Sequence, residues 1–226
     1  KAHALLKTAL GVHGAIGDER IKSNPCVIAQ APKVQRRDWN LLTRDQFWEI
    51  QDRMPAGYQP LTHLAAFGGL RWSEIVGLQR KHIDVLRKTV RVERAITYRA
   101  GVFYIDVPKN RRSRIVPLPM HAVDALRSHI GTLDPSPDTP VFSSPRGHQL
   151  RPHFGFRVWK PAVRAAGYPE VRFHDLRHSC ASWLLAGGAT LAQVRDILGH
   201  SSIAVTELYL HTDIEELLTA VQAALG

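Results

Sequence analysis

Phe173-His174-Asp175-Leu176-Arg177-His178-Ser179 is the stretch on which the reading of this chain turns. His174 and Arg177 stand three residues apart, so on a helix they share a face and can grip one anion between them. Downstream, Leu198-Gly199-His200-Ser201-Ser202-Ile203 puts His200 just after a helix that Gly199 can end. Glu207-Leu208-Tyr209 then follows a further short helix capped by Ser201 or Ser202. Everything beyond Leu150 reads as helix and turn. His174 and His178 also have a spacing that can hold zinc on one helical turn. The residues between them are Asp-Leu-Arg, however, so the Glu of a His-Glu-x-x-His site is missing and Arg177 would set a positive charge beside the cation.

Working upstream, Gly68-Gly69-Leu70-Arg71-Trp72-Ser73-Glu74 sets Arg71 at the start of a helix. There its guanidinium fork can join helical N–H groups in a site suited to phosphate oxygens, with Glu74 three positions on to hold the fork. Pro108-Lys109-Asn110-Arg111-Arg112-Ser113-Arg114 falls in a turn between two expected strands. A lysine at a hairpin tip can reach into a groove and deliver a proton, and the neighbouring bases favour phosphate contact. Taken singly, each of these residues has a plain alternative: a surface ion pair, a solvated lysine, a packed tyrosine. Their joint occurrence carries the reading.

Composition agrees with a phosphate-bearing partner. Thirty Lys and Arg against 20 Asp and Glu give a formal charge of +10 and a pI near 10.1. A hydrophobic share of 44% and 5 Trp over 226 residues indicate one packed domain, with room for a fragment of another. Cys26 and Cys180 are the only cysteines, far apart and without metal-type spacing, which fits a reducing interior. No stretch approaches the roughly 20 apolar residues a membrane-spanning helix needs, and no secretory pattern opens the chain.

Helical periodicity runs from Ala2 to about Ile16, weakened by Gly11 and Gly14. A proline-containing basic stretch through Asn24-Pro25, Ala31-Pro32 and Arg36-Arg37 reads as a linker. Thr43 caps a helix bearing Phe47, Trp48 and Ile50, which sets a domain boundary near Leu41. Helices are expected from Pro60 to Phe67, from about Ser73, and from His121 to Ile130. Between His82 and Leu118 the pattern alternates, with strands at Thr89–Val92, Val102–Ile105 and Ile115–Leu118 expected to form a small antiparallel meander. The fold class is mainly α with a small antiparallel β-sheet. Because the chain starts at Lys1 without Met, it is expected to be part of a longer protein, residues 1–22 being the last helix of a truncated domain, 23–40 a basic linker and 41–226 the main domain.

Over about residues 41–226 the sequence closely resembles the tyrosine recombinase, or phage integrase, family. The likeness rests on Gly-Gly-Leu-Arg71-x-x-Glu, Lys109 ahead of Ser-Arg-Ile-Val-Pro-Leu, His174-Asp-Leu-Arg177-His, Leu-Gly-His200-Ser-Ser, and Tyr209. It implies a catalytic domain preceded by a helical core-binding domain. It also implies attack by Tyr209 on double-stranded DNA to leave a 3'-phosphotyrosine and a free 5'-hydroxyl, with no metal, ATP or other cofactor. Arg71 and Arg177 would clamp the phosphate, Lys109 protonate the leaving oxygen, His174 accept a proton or ligate phosphate, and His200 donate to a nonbridging oxygen. Many relatives have Thr directly after the lysine, where this chain has Asn110. The resemblance further implies a homotetramer on paired DNA sites with exchange of the C-terminal amphipathic helix (Ile214, Leu217, Leu218, Val221, Leu225), and a cytoplasmic place on bacterial or phage DNA. Two other classes remain open at this point: a type IB topoisomerase, which would relax supercoils without exchanging partners, and a DNA-binding protein without catalysis, which would tolerate Tyr209→Phe.

Overall fold

A computed structural model describes residues 2–11, 14–26, 39–106, 113–144, 150, 153–200 and 202–207. The chain divides into two compact units, Lys1–Asp38 and Trp39–Gly226. In the first, helix α1 covers Ala2–Ala9 and gives way to turns. It is shorter than the periodicity implies, because glycines at 11 and 14 remove helical preference where apolar spacing still continues.

The second unit begins with side chains that pin its first segment. Trp39 stacks on His178 at a centroid distance of 4.6 Å, and the Leu42 N–H donates to Ser179 Oγ at 2.9 Å. Helix α2 (Arg44–Asp52) then starts from Thr43, whose hydroxyl accepts the Gln46 N–H while the Gln46 side chain accepts the Thr43 N–H, satisfying two of the open donors of the first turn. Helix α3 (Gln59–Phe67) is buried over most of its length, and α4 (Trp72–Val76) follows after a tight turn. Helix α5 (Met120–Gly131) and helix α7 (Asp175–Ala186) both pack on α3. Phe47, Ile50, Leu61, Leu64, Ile75, Leu126 and Leu176 are all under 2% exposed, so the main core lies among these helices.

The β region departs from the expected meander. Strands β1 (Ile83–Asp84), β2 (Thr89–Val92) and β5 (Arg114–Pro117) form one antiparallel sheet in the order β1-β2-β5, with Val90 opposite Val116. Strands β3 (Ala95–Arg99) and β4 (Val102–Asp106) form a separate two-stranded hairpin. Ala100 and Gly101 both have positive φ, 48° and 87°, the geometry that joins two strands by a two-residue turn. That turn pairs Val102–Asp106 with the strand just before it, so β2 is left to find β5 across the insertion. The connection carrying Lys109 therefore links strands of different sheets rather than the arms of one hairpin.

Beyond Leu150 the chain is helical, as expected. A wide turn at Gly155–Trp159 leads into α6 (Lys160–Ala165), where Pro161 has no N–H to offer a preceding carbonyl. Helix α8 (Leu191–Leu198), capped by Thr190 and Gln193, and the short α9 (Ile203–Glu207) complete the described chain. Cys180, Ala181, Val194 and Leu198 form a smaller second core between α7 and α8.

Candidate active site

The end of α3 determines where Arg71 stands. The Leu70 N–H donates back to Leu64 O at 3.1 Å, and Gly69 between them has φ +61°. A Cβ on Gly69 would come within 2.1 Å of Leu198 Cδ2, so both the backbone twist and the approach of α8 require glycine. Arg71 is then the extended residue before α4. Its backbone N–H donates to Glu74 Oε2 and its Nη1 to Glu74 Oε1, both at 2.9 Å.

Glu74 is 1% exposed and has a second arginine partner. Arg114, at the start of β5, donates Nη1 to Oε1 at 3.0 Å and Nη2 to Oε2 at 2.8 Å. Burial alone would raise the pKa of this carboxyl. The hydrogen bonds and charge of Arg114, together with the N–H and charge of Arg71, outweigh burial and hold it down at about 2.

Both arginines also reach the C-terminal end of α8, where helix carbonyls lack partners of their own. Arg114 Nε donates to Ile197 O at 2.8 Å, and Arg71 Nη2 to Gly199 O at 3.2 Å. Gly199 ends α8 in the left-handed region, φ 67°, and turns the chain so that His200 follows directly. His200 Nδ1 is 2.9 Å from Thr206 Oγ1, the one buried residue with a described side chain in α9. The His200 pKa is lowered to about 4, first by burial and then by the charges of Arg177, Arg71, His178 and Arg114.

Helix α7 supplies the opposite part of the site. Asp175, fully buried, accepts from the Arg172 backbone N–H at 2.9 Å and from its guanidinium at 3.1 and 2.7 Å, which fixes the first turn and suits a helix N-terminus. Arg177 is 2% exposed and donates Nη1 to Gly69 O. His174 remains open to solvent; its pKa is lowered by partial loss of hydration and then by the charges of Arg177 and Arg71. His178 is held between Trp39 and His174, meeting the latter edge to face at 4.9 Å, and its pKa falls to about 4 through burial and the His174 charge.

Four of the six site residues read from the sequence are thus brought to one place: Arg71, His174, Arg177 and His200. Lys109 and Tyr209 lie outside the described residues. The sequence reading missed Arg114, Asp175 and Thr206. Arg114 was visible as a member of the Ser-Arg-Ile-Val-Pro-Leu run, though nothing local distinguishes it from Arg111 or Arg112.

Known proteins give this arrangement a context. The backbone superposes on the Tn1549 transposon integrase, solved in complex with a circular intermediate DNA, with a TM-score of 0.83 at 20% identity, over 98% of this chain and 77% of that one. The fold is that architecture: mainly helical, with small antiparallel sheets. The phiRv2 prophage integrase, as it is named in Mycobacterium tuberculosis, is 33% identical over 217 residues, covering 93% of this chain and 58% of its own length. Tyrosine recombinase XerC of Xanthomonas axonopodis pv. citri is 31% identical over 211 residues, covering 91% of this chain and 65% of its own. A profile of the phage integrase family matches residues 42–216, and the chain belongs to that family. It spans about three-fifths of the length of these two curated relatives.

Proposed function

We propose that this chain is the catalytic part of a site-specific DNA recombinase that cuts and rejoins strands through Tyr209. The observation that carries the reading is the gathering of Arg71, Arg177, His174 and His200 around one anion-ready point, with the Arg71 fork fixed by a buried carboxylate. Phosphodiester exchange develops negative charge on the nonbridging oxygens, and preformed donors held in place before the reaction stabilise it. Arg71 and Arg177 meet those oxygens. His200 is neutral at pH 7, and in the tautomer whose Nδ1 accepts from the Thr206 hydroxyl its Nε2 carries the hydrogen to be donated.

Tyr209 follows α9 by two residues, and α9 is tied to the site through Thr206. A tyrosine with an ordinary pKa of about 10 is a weak nucleophile, but cations beside the bound phosphate favour its phenolate. The phenolate oxygen bonds to phosphorus as the bond to the 5' oxygen breaks. Lys109 protonates that leaving oxygen and His174 takes up the phenolic proton. A 5'-hydroxyl from a partner strand reverses the step. The 3'-phosphotyrosyl bond conserves the energy of the broken phosphodiester, so rejoining calls on no ATP, and in this scheme the arginines supply the positive charge that a metal would otherwise bring. A nicked suicide DNA substrate resolved on a denaturing gel tests it: the wild type yields a covalent adduct and Tyr209→Phe yields none. An adduct persisting in Tyr209→Phe sinks the proposed nucleophile.

The same reading assigns residues 1–22 to the end of a core-binding domain and 23–40 to a basic linker, with the protein acting on bacterial or phage DNA in the cytoplasm. No described helix is long and apolar enough to cross a membrane. It further proposes four protomers on paired sites, each receiving the C-terminal helix of a neighbour. An apolar pocket of about 470 Å³ lined by Trp48, Phe67, Leu118, Trp183, Leu184 and Ile197 supports this, because Arg44, also in its lining, is opposite in charge to Asp213, Glu215 and Glu216 of the tail. Ending the chain at Thr212 should abolish tetramers on paired sites, read by sedimentation, while single-site binding persists. Unchanged assembly would rule the exchange out.

A further inference from the structure

Arg114 sits in a basic run that invites reading as a DNA contact, yet its bonds point inward. Its side chain is 11% exposed, against 26% for Arg71. Its guanidinium donates to both oxygens of Glu74 and to Ile197 O. Those acceptors lie 40 and 83 residues away in sequence, on α4 and at the end of α8. Glu74 shares each oxygen between the two arginines: Oε1 takes Arg71 Nη1 and Arg114 Nη1, and Oε2 takes the Arg71 N–H and Arg114 Nη2.

We propose that Arg114 is a positioning residue of the reaction, aligning the Arg71 fork through the Glu74 carboxylate and fixing the α8 end that presents His200. The proposal rests on the reading of Arg71 as a phosphate clamp. A lone glutamate could pair with Arg71 in several rotamers. A planar fork bound to both of its oxygens and to a helix-end carbonyl leaves one carboxylate plane, and hence one orientation for Arg71. Space at the junction is tight as well, since a Cβ on Gly199 would come within 3.0 Å of Arg114 Nη1. Arg71 itself holds Gly199 O, so the two arginines hold successive parts of one turn ahead of His200. Arg114 does not touch DNA phosphate in this scheme.

Arg114→Ala would leave a buried carboxylate short of a partner and risks unfolding. Arg114→Lys keeps the charge and loses the fork, so it is the variant to use. Its rate of adduct formation on suicide DNA, normalised to the fraction competent to bind DNA, is expected to fall about 100-fold, the scale of a misplaced catalytic group. DNA affinity at fixed salt should stay within about 3-fold of wild type, since no phosphate contact is lost. The deciding comparison is the double variant: in an Arg71→Ala background, Arg114→Lys should slow cleavage by much less than it does alone, because only its hold on the α8 end ahead of His200 is left to lose. Multiplied effects in the double variant, or wild-type cleavage by Arg114→Lys, would overturn the positioning role alone. Wild-type cleavage by Arg71→Ala would instead remove the clamp reading and the positioning role with it.

Discussion

His63 and His200 are both held at a pKa of about 4, chiefly by burial, but their surroundings differ. His63, 5% exposed on α3, is surrounded by rings: Phe47, Trp48, Phe67 and His121 lie 5.5 to 5.7 Å from it, each close to edge on. Its Nδ1 is buried with no hydrogen-bond partner, and burial is the main cause of its shift. His200 owes its value to burial and then to four surrounding cationic or titratable groups, Arg177, Arg71, His178 and Arg114. One is a neutral ring in a dry wall; the other is a neutral ring in a positive field. A shifted pKa therefore marks function here only through its cause. An arriving phosphate would offset the field at His200 and leave His63 as it is.

The largest effect should come from the field's anchor. Glu74→Ala strips two arginines of a buried counter-charge and should cost about 3–5 kcal/mol of stability, measured by urea unfolding. A loss below about 1 kcal/mol would mean that solvent reaches the junction freely. Next, His200→Ala should slow adduct formation about 100-fold or more, as loss of one preorganised donor does, while His63→Phe should cleave like wild type. Equal slowing by both would erase the distinction between wall and field. The smallest effect is in acid. Both histidines protonate less readily folded than unfolded, so stability is present in full above about 6.5 and is lost as pH falls toward about 4. Glu74 is also shifted downward, though there it is the charged form that the fold favours, and its contribution is lost lower still, between about 4.5 and about 2. His63→Phe should flatten the first window only, seen in unfolding midpoints between pH 7 and pH 4.5. An unchanged slope would place the proton uptake elsewhere.

How far the sequence could be read depended on distance along the chain. Helix α2 was legible because Thr43 and Gln46 close its cap within three residues, and α8 because Gly199 ends it. Of the five described strands β2, β4 and β5 were legible, whereas β1, β3 and the pairings were not. Ala95–Arg99 has no strong alternation of its own, and the choice between a meander and two sheets is settled by a turn at Ala100-Gly101 and by β2 meeting β5 across the inserted hairpin. The site divides in the same way. Arg71, His174, Arg177 and His200 announce themselves in short motifs. The role of Arg114 is written nowhere near it, since its partners come from α4 and α8.

Gly69 carries a consequence for how such a site can vary. The chain leading into Arg71 and the helix leading into His200 approach each other with a single hydrogen atom between backbone and Leu198 Cδ2. That hydrogen acts as a spacer gauge for Arg71 and His200, the two groups proposed to serve one phosphate. Leu198 is fully buried, so its Cδ2 has little room to yield to an added methyl group, and a side chain at φ +61° would also strain the backbone leading into Arg71. The reach between guanidinium and imidazole is thus calibrated by a residue that contributes no chemistry, and a change there would read out as lost catalysis in a protein whose reacting groups are all intact.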